Sequence, residues 1–274
     1  MPLVRLLGQA WYYQAWGNPQ SSPLVLLHGF TGSHASWGAL APSWAERHFV
    51  IAPDLPGHGS TPAPLNPPDL SLESVSVRLG ALLDHLSLPK SAMLGYSMGG
   101  RHALQFALKN PQRLTTLILE SASWGISDEE ERSERQVRDR ELAQTIESRG
   151  LDWFVSHWAN LPLFEAQSQA VRDQENQVRL ANTAFGLAQS LRGAGSGEQR
   201  SLLDQLRELN IPTLIVTGAL DRKFCSIAEQ MALEMPNASW VPVTASGHTV
   251  HAEQPLRFRN LVTNFLKHGE PDHE

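Results

Sequence analysis

Short apolar runs alternate along the chain with longer segments in which apolar residues recur every three or four positions. Runs at 24–27, 49–52, 91–95, 114–120, 213–217 and 239–243 are each four to seven residues long, and several are apolar on successive positions. Continuous apolarity of that length fits strands whose two faces are both covered. Segment 72–86 sets Leu72, Val75, Leu79, Leu82, Leu83 and Leu86 at helical spacing, and 98–108 continues straight from a strand as a second helix. Strands separated by crossover helices predict an α/β fold with a mostly parallel sheet. The aromatic stretch 10–15 is expected to add an antiparallel edge strand.

The rhythm breaks from about Trp124 to Gly195, a region without a strand pattern, rich in Glu, Gln, Arg and Trp, and helical in spacing throughout. It reads as a helical cap, residues 124–195, inserted into a core made of 1–123 and 196–274. The stretch Arg192-Gly193-Ala194-Gly195-Ser196-Gly197 is expected to be a loop or hinge, because glycine inside a helix is costly.

Composition narrows the functional classes. With 41% hydrophobic residues in 274, the chain can bury a substantial core. Its 22 Lys+Arg against 28 Asp+Glu give a formal net charge of −6, which offers no electrostatic basis for binding nucleic acid or an anionic membrane. A sole cysteine, Cys225, excludes an intrachain disulfide framework and multi-cysteine zinc sites. The start, Met1-Pro2-Leu3-Val4-Arg5, lacks a signal-peptide pattern, and the apolar runs fall far short of the ~20 residues of a membrane helix. A soluble cytoplasmic protein is expected; oligomeric state is not legible.

The chemistry is concentrated at Gly95-Tyr96-Ser97-Met98-Gly99, a G-x-S-x-G sequence lying between a strand and a helix. In that setting the serine sits on a tight, strained turn, and small neighbours let strand and helix approach closely. Ser97 is then presented at the carboxyl edge of the sheet, with the Met98 amide at a helix start placed to donate to an oxyanion. The bland alternative is a glycine-rich helix entry with an inert serine.

A serine hydroxyl needs an imidazole to take its proton and a carboxylate to orient that imidazole. His248 in Ala245-Ser246-Gly247-His248 follows the last strand, and Asp221 in Gly218-Ala219-Leu220-Asp221 follows the one before it, giving the order Ser, acid, His. Glu120, at the end of its own strand, is the alternative acid. The second oxyanion donor is expected in Leu27-His28-Gly29-Phe30-Thr31-Gly32-Ser33, at the Phe30 amide, with His28 bracing that loop. Asp54 and His58, in the turn after the next strand, read as structural. His248 and His251 are three apart but lack a third ligand, so no metal site is expected.

Together these residues resemble the α/β-hydrolase superfamily over nearly the whole chain. Within it, Gly95-Tyr96-Ser97-Met98-Gly99-Gly100-Arg101, Leu119-Glu120-Ser121-Ala122-Ser123-Trp124-Gly125, Glu131-Arg132-Ser133-Glu134-Arg135, Trp158-Ala159-Asn160-Leu161-Pro162-Leu163-Phe164, Asp221-Arg222-Lys223-Phe224 and Gly247-His248-Thr249-Val250-His251 are similar to the 2-succinyl-6-hydroxy-2,4-cyclohexadiene-1-carboxylate synthases. The resemblance implies a lyase of menaquinone or phylloquinone biosynthesis that eliminates pyruvate from a small polyanionic substrate, without a cofactor and with Ser97, His248 and Asp221 as its base. It also implies substrate contacts at Tyr96, Arg101, Arg135, Trp158 and Arg179.

Residues 124–195 hold eight arginines, no lysine and twelve acids, so anion recognition there rests on a few aimed guanidinium groups. Arg132, Arg138 and Arg140 are expected to pair with neighbouring acids on a solvated face. The rival reading is an ester or carbon–carbon bond hydrolase, which the same triad supports; a silent binding protein on this scaffold would be expected to lack a triad member.

Overall fold

A computed structural model of the chain describes residues 3–268. Among them lies one eight-stranded sheet, ordered β1-β2-β4-β3-β5-β6-β7-β8. Its strands are β1 (Leu3–Leu6), β2 (Gln9–Trp16), β3 (Ser22–Leu27), β4 (His48–Pro53), β5 (Ser91–Tyr96), β6 (Leu114–Glu120), β7 (Thr213–Gly218) and β8 (Ala238–Val243). From β4 through β8 the pairing is parallel, and β1 and β2 pair antiparallel.

The aromatic stretch is antiparallel but is not the edge. β2 lies between β1 and β4, and β1 takes the outer position. The hairpin closes through Leu7 and Gly8, both at positive φ (48° and 87°), which matches the twist of the flanking strands. Four residues with leucine at each end carry too little alternation to declare a strand in advance.

The helices are α1 (Ala41–Trp44), α2 (Leu72–His85), α3 (Met98–Lys109), α4 (Glu129–Arg149), α5 (Leu151–Ala159), α6 (Gln169–Leu180), α7 (Ala184–Ala194), α8 (Arg222–Glu234), α9 (Val250–Glu253) and α10 (Pro255–His268). Strand side chains divide by period two between two cores. Val25, Leu27, Met93, Leu117 and Leu119 face α2, α3 and α8, while Leu24, Leu26, Leu94 and Ile118 face α1 and α10. Burial on both faces explains the unbroken apolar runs, each leucine contributing about 1.5–3 kcal/mol.

Helices α4 to α7 occupy the stretch between β6 and β7, whose ends meet: Ile126 bridges Arg200, and the Leu202 amide donates to the Trp124 carbonyl at 2.8 Å. Their own apolar cluster joins Ala143 and Ile146 of α4 to Phe154 of α5 and Leu187, Ala188 and Leu191 of α7, with Phe30 packed against it. The glycine-rich stretch is a turn from Gly195 to Gly197, as expected, but departs from expectation at its start. α7 runs on through Gly193 to Ala194, and a Cβ on Gly193 would collide with the Pro67 carbonyl, so close packing requires that glycine.

The strand order also places the site. From β3 the chain passes to β4 on one side, then crosses back by α2 to β5 on the other. Where the order reverses, the loops leaving β3 and β5 diverge and open a crevice at the carboxyl ends.

Candidate active site

Ser97 follows β5 with φ 50° and ψ −108°, a conformation that costs a non-glycine residue about 1–3 kcal/mol. Its surroundings enforce it. The Ser97 amide donates to the Glu120 carbonyl at 2.8 Å. Gly95 lies against the backbone of Gly99, and Gly99 against the carbonyls of Leu27 and His28, so neither position has room for a side chain.

The turn aims the hydroxyl at His248, whose Nε2 is 3.1 Å from Ser97 Oγ. On the other side of the ring, Nδ1 lies 2.7 Å from Asp221 Oδ2. Asp221 caps α8, its Oδ1 accepting from the Phe224 amide at 3.3 Å. The His248 ring is buried and is flanked by Tyr96, Phe164 and Phe224. The amides on both sides of it, those of Gly247 and Thr249, donate to the carboxylate of Glu253 at 2.6 and 3.0 Å. Burial pushes that carboxyl above the usual carboxylate range.

Glu120, the competing acid, is engaged elsewhere. It is wholly buried and accepts from both the amide and Nδ1 of His251 at 2.9 Å.

Ser97, His248, Phe30 and Met98 line one cavity of about 660 Å³. Among the described residues the Phe30 and Met98 amides have no protein acceptor. His28 braces the Phe30 loop: its Nδ1–H donates to the Gly29 carbonyl at 2.8 Å, and its Nε2 accepts from the Leu55 amide at 2.9 Å. The Nε2 contact needs the neutral ring, and burial lowers the pKa accordingly. Asp54 accepts from His34 and Ser60, which outweighs burial and lowers its pKa.

Arg101 also lines the cavity, one helical turn beyond Ser97, and is only 7% exposed. Its guanidinium donates to the Ala194 carbonyl at 2.7 Å and to Gln199 Oε1 at 3.3 Å, and among the described residues no carboxylate lies within ion-pair distance of it. Burial, aided by the nearby Arg135 and opposed by Asp139, lowers its pKa to about 10. Arg135 lines the same cavity with its Nε donating to Asp139 at 2.8 Å, and the exposed acids Asp128 and Glu131 form part of the rim. Trp158 lines the wall, its indole N–H buried without an acceptor.

Tyr96 and Arg179 do not line this cavity. The Tyr96 hydroxyl bonds Thr249 at 3.0 Å behind the triad. Arg179 is buried over the Phe164 ring, 5.0 Å from its centroid, with Asn176 and Glu175 as partners. Arg132, Arg138 and Arg140 pair with Glu129, Glu134 and Glu198.

The cavity also takes in Ser121, Ser123, Ser190 and Lys223, which sequence patterning did not single out. Ser190 comes from α7, and only the packing of that helix over the sheet edge brings it there. Lys223 lies two residues after Asp221, so its place was implicit in the position of the acid. Among the described residues no group of three or more His, Cys, Asp or Glu is placed to hold a metal ion. No helix there is long and apolar enough to cross a membrane.

A strained serine at a strand-to-helix turn, with histidine and aspartate on later strand ends, is the arrangement of α/β hydrolases, and the chain belongs to that fold family, matching its model over residues 22–255. It is 41% identical over 253 residues to a Bacillus subtilis (strain 168) protein assigned as a 2-succinyl-6-hydroxy-2,4-cyclohexadiene-1-carboxylate synthase, covering 91% of this chain and 92% of the relative. To the synthase of that name from Enterobacter sp. (strain 638) it is 32% identical, over 92% of this chain and 94% of the relative. The structure of MenH from S. aureus superposes with a TM-score of 0.89 at 32% identity, covering 94% of this chain and 98% of that one. Within the fold, this chain belongs to the 2-succinyl-6-hydroxy-2,4-cyclohexadiene-1-carboxylate synthase family.

Proposed function

We propose that the protein eliminates pyruvate from 2-succinyl-5-enolpyruvyl-6-hydroxy-3-cyclohexene-1-carboxylate, giving 2-succinyl-6-hydroxy-2,4-cyclohexadiene-1-carboxylate for menaquinone or phylloquinone synthesis. The observation that carries this reading is Arg101: a buried cation without a carboxylate partner, in the wall of the cavity that Ser97 and His248 share. Hydrolysis of a neutral ester makes no use of such a group. A substrate with a carboxylate on each of its succinyl, ring and enolpyruvyl parts supplies the missing anion.

In the reaction His248, oriented by Asp221, takes the Ser97 proton, and the Ser97 oxygen removes the ring proton beside the succinyl ketone. The electron pair forms the 2,3 double bond, the existing 3,4 double bond shifts to 4,5, and the enolpyruvyl oxygen leaves from C5. The leaving enolate is protonated and tautomerises to pyruvate. Charge that builds on the ketone oxygen is held by the Phe30 and Met98 amides, each worth roughly 3–4 kcal/mol in comparable sites.

Arg101 and Arg135 bind substrate carboxylates, and the Trp158 indole adds a donor. Tyr96 and Arg179 act from one layer behind, Tyr96 against the His248 ring and Arg179 through Phe164. Residues 124–195 form the cap that closes the cavity. The substrate is a small molecule, no cofactor or metal takes part, and a reducing cytoplasm suits a chain with one cysteine. The test is direct: purified protein and the cyclohexene substrate, with pyruvate followed by coupled absorbance. Fast hydrolysis of p-nitrophenyl esters without pyruvate release would replace this reading with an esterase.

A further inference from the structure

Ser121 is the first residue after β6, and several of its features are hard to explain as packing alone. It is fully buried, and its hydroxyl has no hydrogen-bond partner. Its backbone is held at φ 47°, in the left-handed region that an L side chain adopts only at a cost. The amide is fixed by donation to the Val216 carbonyl at 2.9 Å, so the conformation is imposed by the sheet. A glycine here would relieve the strain and remove the orphaned hydroxyl, each a gain in stability.

The position explains what the serine offers in return. Tyr96 and Glu120 are partners in the β5–β6 register, so Ser97 and Ser121 leave adjacent strand ends side by side. Both line the cavity, together with Arg101.

We propose that the Ser121 hydroxyl is a substrate contact that determines specificity, donating its hydrogen bond to the carboxylate that Arg101 neutralises. The inference rests on the elimination proposed above. It adds a neutral donor to a site otherwise described by its charges. A neutral hydroxyl in the same cavity wall as a guanidinium can satisfy a second lone pair of a carboxylate without adding a further buried charge. Its hydrogen bond goes unmade until the anion arrives.

The experiment compares wild type, Ser121→Ala and Ser121→Gly by pyruvate release and by thermal unfolding. Both variants are expected to raise KM for the cyclohexene substrate about tenfold or more, with a smaller change in kcat. Ser121→Gly is expected to unfold at a higher temperature than wild type, which keeps a loss of binding distinct from a loss of fold. Wild-type release of pyruvate with KM within twofold in both variants overturns the inference and leaves the reaction standing. Wild-type protein that releases no pyruvate overturns the reaction and this inference with it.

Discussion

Glu120 and His251 are joined inside the protein, the carboxylate receiving the histidine's backbone amide and its Nδ1 at 2.9 Å each. Burial alone would lower the His251 pKa, but the Glu120 charge and hydrogen bond raise it above the ordinary 6.5. The contact ties the end of β6 to the segment carrying His248. The two candidate acids therefore differ in task, and their substitutions separate them. Asp221→Asn is expected to lower kcat by roughly 10³-fold or more, through the wrong tautomer of His248, with little loss of stability. Glu120→Gln removes the charge from a buried pair and is expected to cost about 3–5 kcal/mol in urea unfolding. A larger kcat loss in Glu120→Gln than in Asp221→Asn would reverse the assignment.

The serine turn carries its own prediction. Ser97→Gly removes the hydroxyl proposed as the base and relieves the 50° φ, so activity should vanish while stability rises by about 1 kcal/mol, read from urea unfolding. Ser97→Ala should be equally inactive with no such gain. Equal stability of the two variants would mean that the turn stores no strain.

Much of this was legible in the sequence because the physics involved is local. Runs covered on both faces announced six strands, and G-x-S-x-G in its strand-to-helix setting announced Ser97. Asp221 and His248 followed from their places after later strands. What stayed hidden depends on tertiary contacts. β1 is too short to show a pattern, and Gly193 reads as a helix breaker until the Pro67 backbone is seen against it. Arg101 and Arg179 look alike as helical arginines. Only the fold sets Arg101 in the cavity wall and lays Arg179 over Phe164.

Arg101 separates binding from stability. Its guanidinium is held by carbonyl and amide oxygens, and the Asp139 carboxylate acts on it from beyond ion-pair distance, so the folded protein carries much of the desolvation of a cation that substrate would offset. Arg101→Met is expected to cost about 2–5 kcal/mol in kcat/KM, while the unfolding free energy falls by less than that or rises. Steady-state kinetics beside denaturant titration reads both. A variant that loses stability in step with activity would make Arg101 a structural group.

Three buried histidines, His28, His58 and His102, make the fold less stable in acid. His58 is 1% exposed, its Nδ1 is 3.2 Å from the Pro56 carbonyl, and its Nε2 has no partner. Burial, with the neighbouring His28 adding to it, lowers its pKa from 6.5 to about 3. Because the folded value lies below the unfolded one, the unfolded chain takes up the proton first as pH falls through 6.5. Stability is therefore lost from there down toward pH 3, at about 1.4 kcal/mol per pH unit for this one group. Above pH 6.5 His58 contributes no pH dependence. His28 and His102, also lowered by burial, act in the same direction. Unfolding free energies at pH 7, 6 and 5 should fall more steeply for wild type than for His58→Asn, by about half a proton's slope from pH 7 to 6 and close to one proton's from pH 6 to 5. Parallel curves for the two proteins would show that His58 is protonated as readily in the folded state as in the unfolded chain.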